Sequence, residues 1–293
     1  MVNQKGQAFG FMRYLYLPRF FIVIVLCTTF VGCAALTTQK LAVNLSHAML
    51  NQDDPDTVRS GAAAYLLLID SLIEDQPKDQ SLLLAGAQLY NAYASGLVKD
   101  TARAKRLSQR ARNYARLGLC EKLPQICTGE TQPYDQFAPM VNSADRTNLK
   151  ALYVYGTSWA GWIQARRDSW EALADLAKVE AVLERVVELD PAYARGRAQL
   201  YLGVMRTQLP PALGGKPEAG RIHFDLAIKH SAGRDLMAKV EYARRYARLV
   251  FKQKLHDRLL HEVLAADPIE YDLTLSNVLA QEMAQELLAE DYF

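Results

Sequence analysis

The chain has 293 residues, of which 50% are hydrophobic and 23% charged, and its 34 basic and 32 acidic side chains leave a net charge of +2. That length and apolar content support one large or two small domains with a sizeable core. The near-balance of charge excludes the strongly basic surface of a nucleic-acid binder.

The N-terminal segment reads as an address. Residues 1–32 contain Lys5, Arg13 and Arg19 and no acid, so residues 33–293 carry 31 basic side chains (34 less 3) against 32 acidic ones, a net of −1. Phe20 to Val31 is an uncharged apolar run that ends in Phe30-Val31-Gly32-Cys33. A basic start, an apolar stretch and a small residue before cysteine make an export signal closed by a bacterial lipobox. Cys33 is then the lipidated first residue of the mature chain. Residues 1–32 form the signal peptide and 33–293 the helical domain. An uncleaved span is disfavoured, because Phe20 to Leu36 is 17 residues and a crossing helix needs about 20. The expected location is the periplasm, lipid-anchored, with Ala34 after the cysteine pointing to the outer membrane; export also removes nucleic acid as a partner.

Cys27 lies in the signal, which leaves Cys120 and Cys127. An oxidising compartment permits a disulfide between them; two buried thiols are the other reading.

From Thr38 onward the hydrophobic period is helical, with no alternating run of β-branched residues. Helices are expected near 39–51, from Asp54-Pro55 to Pro77, at 80–98, 101–119, 149–166 and 170–189, then through the 201–228 hairpin, 236–253, 255–265 and 271–288. Asp54, Asp190 and Asp267, each before Pro, read as starts of new helices. Residues 120–142, with Pro124, Pro133 and Pro139, read as one long irregular segment. The helix at 101–119 is basic, with Arg103, Arg106 and Arg110 on one face. That face suits solvent, an acidic partner surface or anionic lipid headgroups.

The stretch 201–228 gives the plan. Leu202 and Gly203 belong to a helix that Pro210-Pro211 ends, Gly214 and Gly215 permit a reversal, and Pro217 opens a second helix carrying Gly220, Phe224 and Ala227. This spacing is that of a tetratricopeptide-like hairpin with a lengthened turn. The expected fold is all-α: a solenoid-like stack of such hairpins with a C-terminal capping helix.

Tyr155, Trp159 and Trp162 fall at i, i+4 and i+7, so they share a helical face that is either core or a ligand-stacking surface. The five histidines are scattered, and Glu180, Glu184 and Glu188 line a helix edge as solvent-facing charges. No nucleophile elbow, phosphate loop or zinc motif occurs. Neither an enzyme nor a cofactor nor a metal is expected.

Arg103-Ala104-Lys105-Arg106-Leu107 with Tyr114-Ala115, Tyr155-Gly156-Thr157-Ser158-Trp159 with Trp162, Leu189-Asp190-Pro191, Pro210-Pro211-Ala212-Leu213-Gly214-Gly215, Ala238-Lys239-Val240 with Tyr242-Ala243-Arg244, and Val263-Leu264-Ala265-Ala266-Asp267-Pro268 together resemble the TRAP-transporter T-component family (TatT). The resemblance implies a periplasmic lipoprotein that forms a homotrimer, binds the solute-receptor (P) component and passes on an apolar or organic-acid ligand. Tyr155, Trp159, Trp162, Tyr201, Pro210, Pro211, Leu213, Gly214 and Gly215 are the residues expected to touch partner or ligand. The alternatives are a scaffold lipoprotein for envelope assembly and, less favoured, an envelope hydrolase.

Overall fold

The computed structural model describes residues 40–293 apart from Ala42 and Gly214; the signal segment and Cys33 lie outside the described residues. Residues 44–293 form one contact-dense unit. It is all-α, with no strand among the described residues.

The first long helices begin where short acidic side chains can satisfy the free N–H groups of a helix end. Asp54 accepts from the Asp56 N–H and caps α1 (Pro55–Asp75). Asp79 accepts from Leu82 N–H at 2.9 Å and caps α2 (Gln80–Gly96). Asp100 accepts from Arg103 N–H at 2.6 Å and caps α3 (Thr101–Cys120). Each such cap is worth about 1 kcal/mol. Small residues let α2 and α3 approach closely: a β-carbon on Gly118 would lie 2.9 Å from Leu84 Cδ2.

Residues 120–142 are ordered rather than irregular. Pro124 opens α4 (Pro124–Thr128), a 3₁₀ turn follows at Gly129–Thr131, and α5 spans Tyr134–Asn142 with Pro139 inside it. Prolines at or near the first turn start helices as readily as they stop them, which is why this segment misreads as a loop. Cys120 and Cys127 are joined by a disulfide, with Cα atoms 5.8 Å apart.

Then come α6 (Leu149–Ala165), α7 (Trp170–Ala174), α8 (Leu176–Leu189), α9 (Arg197–Arg206), α10 (Pro217–His230), α11 (Leu236–Glu241), α12 (Gln253–Leu264) and α13 (Thr274–Ala289). The expected helix at 170–189 breaks at Asp175, whose carboxylate turns inward to accept from Trp159 Nε1 at 3.1 Å. The expected helix at 236–253 passes into a π-helical stretch at Tyr242–Ala247 and ends at Phe251, whose φ is +54°. Asp54-Pro55 does start a helix directly, but Asp190-Pro191 and Asp267-Pro268 do not. After Pro191 the chain runs through left-handed Ala194, Arg195 and Gly196 before α9, and after Pro268 it turns at Asp272 (φ +61°) before α13.

Packing follows chain order: α1 on α2, α2 on α3, α3 on α6, α6 on α8, α8 on α9, α9 on α10, and α12 on α13. The last helix also reaches the first. Arg59 lies 3.5 Å from Glu282, and His47 meets Asp272 at 2.6 Å. Leu279 Cδ1 sits 3.3 Å from where a Gly96 β-carbon would be. One apolar core forms around Phe137, Leu152, Trp159 and Leu183 and another around Phe224, Tyr246 and Leu260, and Ile69 and Leu82 are buried between α1 and α2.

Candidate functional site

The 201–228 hairpin closes as its glycines require. A β-carbon on Gly203 would lie 2.9 Å from Phe224, and one on Gly220 2.5 Å from Thr207 Cγ2, so α9 and α10 cross backbone to backbone. Beyond α9 the chain makes the turn that carries most of the expected contact residues. Pro210 is half-buried and Pro211 exposed; residues Pro211–Leu213 form a 3₁₀ turn. Gly215 N–H donates to Pro210 O at 3.1 Å, and Lys216 N–H to Arg206 O at 3.0 Å. Gly214, and the side chain of Leu213, lie outside what is described.

Three large apolar side chains in and after this hairpin are exposed. Leu209 is 49% exposed, Ile222 51% and Phe251 78%. Glu218 and Ile222 share a face of α10, and the Glu218 carboxylate accepts from Tyr246 OH at 2.5 Å. Lys252, next to Phe251, donates to the same hydroxyl at 3.2 Å. Lys252, the residue after Phe251, is thereby tied to Glu218 of α10 through the Tyr246 hydroxyl. A large apolar side chain held outward on a left-handed backbone position is a costly arrangement, and water gives it no return.

The aromatic face of α6 is placed differently. Tyr155 and Trp159 are fully buried and Trp162 nearly so. No ligand surface opens there. The two indoles hold the Arg112 guanidinium between them, at 4.5 and 4.4 Å from their ring centres. Arg112 pairs with Glu130 at 3.2 Å and lies 3.7 Å from Asp175; Glu130 also takes Arg116 at 3.1 Å and Tyr155 OH at 2.8 Å. Burial, then the Glu130 charge, pushes the Tyr155 hydroxyl well up. This is an internal brace. Its members were not legible together because Glu130 and Arg112 come from separate segments.

On the basic face of α3 Arg110 pairs with Asp70 at 2.5 Å and Arg103 lies over the Tyr93 ring, while Lys105, off that face, pairs with Asp168 at 2.9 Å. Tyr201, the other expected contact, is half-buried and packs against the first core. Its hydroxyl is pushed up by burial, as is that of Tyr153. Both lie near Arg197, which donates to Asp235 at 2.7 Å and to Ser276 Oγ at 2.7 Å. Burial opposes the Arg197 charge, but Asp235 more than offsets it and raises the guanidinium's pKa. Among the described residues no group of three or more His, Cys, Asp or Glu could hold a metal. No described helix is long and apolar enough to cross a membrane.

A sequence model of the TRAP transporter T-component matches residues 51–293, more than four-fifths of the chain. The chain belongs to the TRAP transporter T-component family. No curated protein matches it. As a T-component it is an extracytoplasmic part of a transport system, from a family of accessory components rather than of enzymes. Pro211 and Ala212 of the turn are exposed, while Trp159 and Trp162 of α6 are buried.

Proposed function

We propose that this T-component is tethered by lipid on Cys33 to the periplasmic face of the outer membrane, assembles as a homotrimer, and holds the solute-receptor (P) component of its transport system. The surface around Leu209, Pro210, Pro211, Phe251 and Ile222 makes the receptor contact. The observation that carries this reading is the exposure of Leu209, which enters a turn whose backbone is closed on itself, together with the exposure of Ile222 and Phe251. Such a surface is pre-ordered, so docking costs little loop entropy. Apolar anchors at the centre of a contact supply most of its free energy. The chain acts by holding and presenting, and the organic-acid or apolar ligand is passed on while the receptor is held.

Co-expression with a TRAP solute receptor from the same genome, followed by affinity purification through the T-component, tests the proposal. Recovery of the receptor in stoichiometric amount from wild-type chain, and its loss on Phe251→Asp, is the expected result. Equal recovery from both proteins would remove this surface from the interface.

A further inference from the structure

A second face lies where α2 ends, α3 begins and the chain leaves α6. Two open clefts of about 340 and 400 Å³ sit there side by side and share Val98 and Lys99. Arg59 and Arg103 line one; Arg167, Gln164 and Thr101 line the other. The acids that line the two clefts are already engaged, while Glu171, next to Trp170, is exposed. Asp56 pairs with Arg59 at 2.6 Å, Asp168 with Lys105 at 2.9 Å, and Asp100 accepts from the Arg103 backbone. Lys99, Arg103 and Arg167 line the clefts and Arg106 follows one turn after Arg103 on α3; none of the four makes an ion pair within 4.0 Å among the described residues.

Beside these cations stands Trp170, 86% exposed. The loop that carries it is fixed: Arg166 donates to Lys105 O at 2.8 Å and to Ser108 Oγ at 3.2 Å, holding the end of α6 against α3. Ser169 caps α7 by accepting from Ala172 N–H. An exposed indole on a fixed loop, among unpaired cations spread over one end of a molecule, matches a leaflet of anionic lipid. Indoles favour the headgroup layer, and Lys and Arg are drawn to its negative potential.

We propose that this end is a docking face for the anionic headgroups of a phospholipid bilayer, with Trp170 entering the interfacial layer and Lys99, Arg103, Arg106 and Arg167 meeting the phosphates. Asp56 and Arg59, in the first turns of α1, line the same cleft, and the helical residues before α1 pack on Tyr271 and Asp272 through His47. Ten residues separate Cys33 from Asn44, a reach of at most about 35 Å. The face would therefore set which way the unit points from its leaflet. The inference goes beyond receptor docking and does not depend on it.

The test uses residues 44–293, the compact unit, without any lipid anchor. Sucrose-loaded vesicles of phosphatidylcholine alone and of phosphatidylcholine mixed with phosphatidylglycerol are sedimented with the protein. Trp159 and Trp162 are buried, so a blue shift of the tryptophan emission on vesicle binding reports Trp170. The expected result is salt-sensitive partition onto the phosphatidylglycerol vesicles with a blue shift. Trp170→Ala should abolish the shift, and R103E/R106E should weaken partition at least about tenfold. Four outcomes would overturn the proposal: no partition, equal partition onto neutral vesicles, partition without the shift, or partition that R103E/R106E leaves intact. Saturable binding of polyglutamate without vesicle binding would assign the face to an acidic protein and also overturn it.

Discussion

A β-carbon on Gly215 would lie 1.7 Å from the carbonyl oxygen of Leu209. The turn that joins α9 to α10 closes because that position has no side chain. Gly215→Ala must open the turn or displace Leu209. A stability loss of about 1–3 kcal/mol is expected, the range for forcing atoms into a packed site. Receptor affinity should fall with it. Urea denaturation and receptor titration of the same variant check both.

Arg112 is braced between two indoles and paired with Glu130. Arg112→Met takes from Glu130 the more buried of its two guanidinium partners and leaves it with Arg116. The variant should lose about 3–5 kcal/mol, as expected when one partner of a buried pair is removed. Combining it with Glu130→Gln should recover part of that loss. Denaturant midpoints for the single and double variants measure the coupling.

This brace marks the limit of what the sequence discloses. Asp54 announces its helix because a cap acts within three residues of itself; Asp79 and Asp100 cap in the same way and were not singled out. The α9–α10 hairpin is legible for the same reason: Gly203, Gly220 and Phe224 are a short-range pattern. Trp159 and Trp162 show that they share a face, and periodicity cannot say what that face meets. Arg112 looks like one more solvated cation until Glu130 and Asp175 arrive from other segments. Ala194 and Arg195 carry no signal for left-handed backbone, so the start of α9 is invisible after Asp190-Pro191. Phe251 was likewise missed, because an apolar residue at helical spacing gives no warning that it faces water.

The Cys120–Cys127 disulfide fastens the end of α3 to the segment that delivers Glu130. Replacing both cysteines by serine should lower stability by about 2–3 kcal/mol in the chain-entropy account. Hydrogen exchange should rise first over residues 121–131. Calorimetry and exchange mass spectrometry of the double variant check the two effects.

His223 gives a pH dependence with a defined sign. Burial, then the Arg206 cation, lowers its pKa below the ordinary value of 6.5. Its Nδ1 lies 2.6 Å from Gln199 Oε1. The unfolded chain binds this proton at higher pH than the folded chain, so stability is complete above about pH 6.5 and declines as pH falls below it. His223→Gln should flatten that part of the curve. Thermal unfolding of both proteins across this range provides the comparison.

The central claim is that the surface around the turn holds the solute receptor, and isothermal titration of purified receptor into the full-length chain in detergent tests it most directly. The account predicts saturable binding that Leu209→Asp and Phe251→Asp each weaken at least about tenfold, since a central apolar anchor is worth 2 kcal/mol or more, while Trp170→Ala leaves it unchanged. Binding that is indifferent to Leu209 and Phe251, or no binding by the wild-type chain, would contradict it.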